Sequence, residues 1–289
     1  MKKCNYKFIA APLSVGSPTR GTDQAGDVVI DKMSSKFNKQ VKAYTRLDFI
    51  NTESPEEHKI LNFSSVDRAN KHVYLFLSKC MKDGVTPFIV GGDHSIGAGV
   101  TAYNLKKYKD GQDLLVVWID AHSDINTPES SLSHYYHGMP NAISLGLCDK
   151  SLSPIQNEEV LPGNHLAIIG ARSIDEGEKI IIKDNNVNCI SALEVRKNGI
   201  ENYIHELKEK THCRYVQISF DVDSLDPSEL TATGYNIPNG LTRNEVKLII
   251  KTLLDNFELA SFDCVEYNPT LDKDDKDLNT ILDIFSVLL

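Results

Sequence analysis

What most constrains this chain is a recurrence: three apolar runs, each ending in acidic or imidazole side chains. Leu114-Leu115-Val116-Val117-Trp118-Ile119 runs into Asp120-Ala121-His122-Ser123-Asp124. Tyr215-Val216-Gln217-Ile218-Ser219-Phe220 runs into Asp221-Val222-Asp223, and Val85-Thr86-Pro87-Phe88-Ile89-Val90 runs into Gly91-Gly92-Asp93-His94. Short continuous apolar runs read as strands covered on both faces, the mark of a parallel sheet. In open parallel sheets, sites form in the crevice beyond the carboxyl ends of the strands. Side chains alternate faces along an extended chain, so Asp120, His122 and Asp124 point one way, as do Asp221 and Asp223. Ionisable groups gathered at the end of a buried strand are costly unless something neutralises them, and a cation is the simplest answer. One such triplet reads equally well as a polar loop; the recurrence shifts the balance. Four carboxylates and two imidazoles suit a pair of metals bridged by shared carboxylates, roughly 3.5–4 Å apart. An oxygen-rich set without thiolate favours a hard ion such as manganese over structural zinc.

Around these runs the pattern alternates. Further strands are expected at Lys7 to Ala11, Val41 to Leu47, Leu166 to Gly170, Val187 to Ile190 and Leu259 to Val265. Helical periodicity marks Val66 to Cys80, with Ser64-Ser65-Val66-Asp67 as its cap, and Gly97 to Lys107, Glu178 to Asn185 and Ile200 to Glu209. Thr242 and Glu245 form a capping box for a helix through Leu254, and Leu278 to Leu288 is a closing helix. About eight strands alternating with helices mean parallel α/β, as an open doubly wound sheet or an eight-stranded barrel. No repeat or linker divides the 289 residues, so a single domain spanning 1–289 is expected. The acidic run Asp272 to Asp277 reads as a solvated loop.

The net charge of −9 argues against nucleic acid or an anionic membrane as partner. Part of that charge is the ligand set itself, and a small cationic substrate suits it. The six cysteines show no CxxC spacing, which fits reduced thiols. Lys2-Lys3 ahead of Phe8-Ile9-Ala10-Ala11 is too short a signal-like pattern, and no run approaches 18 apolar residues. A cytoplasmic protein is expected.

Three separated motifs together resemble the ureohydrolase superfamily: Gly91-Gly92-Asp93-His94-Ser95, Asp120 to Asn126, and Ser219-Phe220-Asp221-Val222-Asp223-Ser224-Leu225-Asp226-Pro227. The likeness runs on through Glu266-Tyr267-Asn268-Pro269. Within the superfamily, Asn126-Thr127-Pro128 followed by Ser131, Ser133 and His137-Gly138 is similar to arginases. The resemblance implies an α/β/α sandwich with an open, mostly parallel eight-stranded sheet and two Mn²⁺ per subunit. His94 and Asp124 would bind one manganese, His122 and Asp223 the other, and Asp120 and Asp221 would bridge both. It further implies a metal-bridging hydroxide that attacks the guanidinium carbon of L-arginine, giving urea and L-ornithine, for nitrogen disposal or polyamine supply. Asp124 would help carry a proton to the leaving amine, His137 would shuttle protons, and Glu266 would pair with the guanidinium. Asn126 and Ser133, with Ser131 nearby, match positions that hold the α-carboxylate; Asp175 and Glu178 match those facing the α-amino group.

Two departures accompany the likeness: Tyr135 stands where many arginases have asparagine, and Tyr235 where a small threonine is common. The arginine-rich tail of some arginases has no counterpart here, so a homo-oligomer, a trimer or a hexamer, is an expectation from the resemblance alone. Duller readings stand beside each assignment. Asp175 and Glu178 are also natural first-turn acids of a helix, and His134 reads as a surface residue. Agmatinase or another guanidino hydrolase is the competing activity, and a catalytically silent binding protein the competing class.

Overall fold

Strand alternation decides the layers. In the computed structural model, which describes residues 5–37, 41, 43–49, 51–108, 112–155 and 159–289, all six residues of the Leu114–Ile119 strand are buried. Leu115, Val117 and Ile119 enter one apolar core, while Leu114, Val116 and Trp118 enter another on the opposite face. A strand buried this way needs helices on both sides.

The elements follow in order: β1 (Tyr6–Ala10), α1 (Ala25–Phe37), β2 (Tyr44–Arg46), α2 (Phe63–Cys80), β3 (Thr86–Val90), α3 (Gly97–Lys107) and β4 (Leu114–Ile119). Then come α4 (Pro140–Ser144), β5 (Leu166–Gly170), α5 (Glu176–Asp184), β6 (Asn188–Ser191), α6 (Ala192–Asn198) and α7 (Ile200–Thr211). Last are β7 (Tyr215–Asp221), α8 (Arg243–Asn256), β8 (Glu258–Val265) and α9 (Lys276–Phe285). The sheet has eight strands in the order β2-β1-β3-β8-β7-β4-β5-β6, every pair parallel. β2 and β6 are free edges, which removes the barrel and leaves the open, doubly wound sheet. Helices α1 and α6 to α9 bury their apolar stripes on one face; α2 to α5 cover the other.

The four middle strands are β3, β8, β7 and β4. Three of them are the runs that end in acids or imidazoles, so their carboxyl ends meet side by side. The Gly91-Gly92 pair makes this meeting possible at β3. Gly92 takes φ +68, and a Cβ there would lie 2.6 Å from the Ala11 carbonyl oxygen. Only a residue without that carbon lets the chain pass so close to the end of β1.

One face of the sheet centre is polar. Gln217 and Ser219 of β7 and Ser261 and Asp263 of β8 are fully buried there. Asn104 of α3 donates to Gln217 Oε1 at 2.9 Å and Ser261 Oγ at 2.7 Å, and Gln217 donates to Thr101 Oγ1 at 3.0 Å. Buried polar groups are tolerated when paired in this way.

Several expectations shift. α2 begins at Phe63 rather than behind Ser64, because Asn62, at φ 57, turns the chain in and uses its side chain elsewhere. Its amide accepts from Ser54 N at 3.0 Å and donates to Val15 O at 2.9 Å, stitching two loops together. β2 is only Tyr44–Arg46, and Lys42 of the expected Val41 to Leu47 strand lies outside the described residues. The short helices α4 and α6 were not expected, although Ser191 and Glu194 form a capping box at α6 that its sequence spells out. The Asp272 to Asp277 run is no mere solvated loop. Asp277 is buried, accepting from Thr231 N and Ala232 N at 2.8 Å, and Asp272 accepts from Leu278 N at 2.8 Å. Five cysteines, Cys80, Cys148, Cys189, Cys213 and Cys264, carry no disulfide; Cys4 lies outside the described residues. Among the described residues no helix is long and apolar enough to cross a membrane.

The capping box of α8 is as expected and also reaches α6. Glu245 accepts from Thr242 N at 2.7 Å and receives both ends of the Arg196 guanidinium, at 2.7 and 2.8 Å. Burial raises the Glu245 carboxyl, but the Arg196 and Thr242 hydrogen bonds outweigh it and hold it below its usual value. A depressed carboxyl stabilises the fold above its unfolded pKa and loses that contribution as pH falls through the folded one. Glu245→Gln is therefore expected to cost about 1 kcal/mol near neutrality, the scale of a lost cap. The gap to the parent closes as pH drops below the ordinary glutamate range, measured by thermal melts across pH.

Candidate metal centre

At the carboxyl ends of β3, β4 and β7, the chain leaves each strand in a tight turn fixed by an aspartate. Asp93 accepts from Ser95 N at 3.1 Å, Asp120 from His122 N at 2.7 Å, and Asp221 from Asp223 N at 2.8 Å. These turns aim the following side chains into one crevice. His94 Nδ1 lies 3.0 Å from Asp120 Oδ2, 3.0 Å from Asp124 Oδ2 and 3.0 Å from Asp221 Oδ2. His122 Nδ1 lies 3.0 Å from Asp223 Oδ2 and 3.4 Å from Asp120 Oδ1. Two groups with the spacing of metal ligands result, His94–Asp120–Asp124 and Asp120–His122–Asp223, and Asp120 belongs to both. Asp221 faces His94 but falls outside both groups. All six predicted ligands thus meet in one place.

The charges do not balance. The four aspartates are at most 6% exposed, so even two protonated imidazoles leave two of the four carboxylates uncompensated. Burial, with the Asp223 and Asp120 charges, pushes Asp221 well up, and burial with the Asp120 charge pushes Asp124 up to about 6. Burial raises Asp120 also, but the adjacent His122 and His94 rings hold it far below the carboxylate range. His94 is pulled down by burial and raised well above its usual value by Asp120, Asp124 and Asp221. His94 Nδ1 and Asp120 Oδ2 are buried without a hydrogen-bond partner among the described residues. Both aim at the same point, so the residues fit a bound cation.

The metal-facing nitrogen of His94 is backed by a chain of hydrogen bonds. His94 Nε2 meets Ser219 Oγ at 2.9 Å, and Ser219 Oγ in turn donates to Asp263 Oδ2. The His94 ring stacks on Trp118 at 4.0 Å, whose Nε1 donates to Asp124 Oδ2 at 3.3 Å. This backing fixes the ring and leaves Nδ1 free to ligate.

A cavity of about 230 Å³ opens beside the groups, lined by His122, Asp124, Asn126, Ser133, His137, Gly138, Ser173, Asp175, Glu178, Asp221, Asp223, Tyr235, Ile237 and Glu266. His137 sits on a one-turn helix, Tyr136–Gly138, with Nδ1 3.2 Å from Glu266 Oε1. Glu266, at φ 62, also accepts from His94 N at 2.9 Å. Burial lowers His137, but Glu266 outweighs it and raises the ring; the same contact holds Glu266 below its usual value against its own burial.

The profile of the arginase family matches residues 5–287. The chain belongs to that family. Arginase of Bacillus subtilis (strain 168) is 33% identical over 294 residues, covering 97% of this chain and 96% of that one. Entamoeba histolytica arginase, solved in complex with L-ornithine, superposes with a TM-score of 0.88 at 28% identity, covering 99% of this chain and 98% of that chain. A B. subtilis arginase structure gives 0.87 at 30% identity over 99% of this chain and 98% of that chain. As a member of the arginase family, the chain is a hydrolase acting on a guanidino carbon–nitrogen bond.

Of the residues matched to arginase substrate positions, Asn126, Ser133, Asp175 and Glu178 line the cavity and Ser131 does not. Ser131 Oγ accepts from His134 N at 3.0 Å instead, holding the turn at His134 (φ 59). Asn126 Oδ1 accepts from Ser130 Oγ at 2.8 Å. Glu178 is also committed within the protein. One oxygen accepts from Asp175 N at 2.9 Å as a helix cap, the other from Ser123 Oγ at 2.7 Å and Ile125 N at 3.4 Å. The first-turn reading of Glu178 is therefore right in geometry, and the same carboxylate braces both neighbours of Asp124. Arg172 performs a similar service: its guanidinium donates to the carbonyls of Gly170, Asp223, Ser224, Leu225, Ile237 and Pro238 at 2.8–3.2 Å.

Sequence reasoning missed Ser219 and Asp263. Ser219 stands two residues before Asp221 on the same strand face, and Asp263 is the one acid inside an apolar run; both were signals. Ser219→Ala removes the link behind His94, and the affinity for Mn²⁺ at one of the two positions is expected to fall about 10- to 100-fold. Calorimetric titration of metal-free protein reads this directly, with circular dichroism to show that the fold is kept.

Proposed function

We propose that the chain hydrolyses L-arginine to L-ornithine and urea with two manganese ions. The observation that carries this reading is the juxtaposition of two cation-ready groups sharing Asp120 with a cavity whose walls hold Glu266, Asp175 and Glu178. His94 and Asp124 would hold one ion, His122 and Asp223 the other, and Asp120 both; Asp221 beside His94 is assigned to the bridge by resemblance. Bound there, the pair would acidify a shared water to near neutrality and so supply the nucleophile.

The chain's own residues do the rest. A guanidinium is planar and cationic, and a carboxylate such as Glu266 or Asp124 meets it through charge-assisted hydrogen bonds. Addition of water to the guanidinium carbon gives a tetrahedral adduct, and its collapse to urea breaks the bond to the side-chain nitrogen, which needs a proton to leave as an amine. By the resemblance, Asp124 would hold and pass that proton. His137, whose ring Glu266 raises above its usual value, stands at the cavity wall, where it would shuttle the proton. By the resemblance, Asn126 and Ser133 would meet the α-carboxylate, and Asp175 and Glu178 the α-amino group. Manganese, a cytoplasmic location and a trimeric or hexameric assembly are part of the same proposal: the donor set and the resemblance support the first, the scattered cysteines the second, and the resemblance alone the third.

Agmatine is the competing substrate. Because Ser131 turns its hydroxyl to His134 N, fewer groups remain to select for an α-carboxylate. Urea release from arginine, agmatine and guanidinobutyrate by the manganese-loaded protein decides between them; preferential release from agmatine displaces the arginine reading. Asp223→Ala is expected to reduce bound manganese from two ions to one and to cut urea release by about 100-fold or more, the scale of losing several kcal/mol of metal assistance. Parent turnover by that variant with both ions retained would sink the ligand assignment.

A further inference from the structure

Most of the side chains that line the cavity are polar or ionisable, and Tyr235 is the one aromatic carbocycle among them. Tyr235 stands at its mouth, 37% exposed. Its ring meets the His122 ring edge-on, with centroids 5.5 Å apart and planes at 69°. It lies nearly parallel to the His137 ring, 6.0 Å away at 23°. The phenol therefore spans the gap between a proposed metal ligand and the proposed proton carrier. A ligand entering between those two histidines passes along it.

An aromatic ring offers a negative face and attracts a delocalised cation within about 6 Å, most strongly where water is thinned. A carboxylate wall attracts any cation, including a compact ammonium, through charge. A ring additionally rewards a flat, weakly hydrated cation that can lie against it. We propose that Tyr235 is a specificity-determining residue that selects a planar guanidinium by contact with its ring. The inference rests on the guanidino reading above and names which group at the site reads the substrate's shape and charge.

The test compares two small probes of one shape and different charge: methylguanidinium and neutral methylurea. Binding of each to the metal-loaded protein is followed by NMR titration for the parent, Tyr235→Phe and Tyr235→Leu. The parent's preference for methylguanidinium over methylurea is expected to fall about tenfold in Tyr235→Leu, the scale of a partly desolvated cation–π contact. Tyr235→Phe keeps the preference, because the ring remains. In kinetics, Tyr235→Leu is expected to raise KM for arginine about tenfold with a smaller change in kcat. A merely structural role would weaken both probes alike. Equal weakening of both, an unchanged preference in Tyr235→Leu, or loss of the preference in Tyr235→Phe overturns the proposal. The probe measurement does not depend on turnover, so a parent protein that binds the cation through Tyr235 yet releases no urea from arginine refutes the reaction and leaves the ring's role standing.

Discussion

The repulsion among Asp120, Asp124, Asp221 and Asp223 is the interaction on which the rest of the molecule turns. At ordinary distances in a protein, like charges a few ångströms apart cost several kcal/mol, and burial removes the water that would dampen them. The fold does not avoid that cost. It concentrates it, by placing β3, β7 and β4 so that their carboxyl ends share one crevice, with β8 between the first two. Two imidazoles offset part of the charge, and the stranded atoms His94 Nδ1 and Asp120 Oδ2 show where the remaining offset belongs. A protein built in this way is tense without its cations and relaxed with them.

Much of the surrounding architecture holds that tension in place. Asp124 and Glu266 both adopt left-handed backbone, at φ 48 and 62, where a side-chain-bearing residue is strained. Such strain persists only where neighbours over-determine it. Glu178 grips Ser123 and Ile125 on either side of Asp124, and the Glu266 carboxylate is engaged by His94 N and His137. The serine–aspartate chain behind His94 acts through the sheet itself, which explains why the middle of one sheet face is polar where apolar residues would pack more simply. The Asn104, Gln217 and Ser261 network belongs to the same polar seam, a few residues nearer the amino ends of the strands.

A good part of this was legible beforehand. Continuous apolar runs with acids at their ends revealed both the parallel sheet and the meeting of aspartates and histidines beyond it, because burial on two faces and period-two alternation leave few other arrangements. The choice between open sheet and barrel was not legible, since both satisfy the same alternation of strands and helices; strand order is a long-range fact. Asn62 and the Ser64 cap show a second limit. A cap is a local competition, and Asn62 lost it to bonds with Ser54 and Val15 that sequence spacing does not announce. Asp277 failed as a surface acid for the same reason, its partners Thr231 and Ala232 lying 46 and 45 residues away. Ser131 illustrates the limit at the site: its hydroxyl accepts from His134 N where the chain turns through left-handed backbone, a local use that spacing does not announce.

Arg172 links two parts of the site that sequence treats separately. One flat fork ties the backbone that carries Asp223 to the backbone at Ile237 and Pro238, which forms a wall of the cavity. Five fixed donors can serve so many carbonyls, whereas the three of a lysine cannot. Evolutionary change at this wall is therefore not independent of the metal: a substitution that shifts residues 235–238 to admit a different substrate also tugs on Asp223. Diversification of the pocket has to proceed by exchanging side chains on a wall whose backbone stays still.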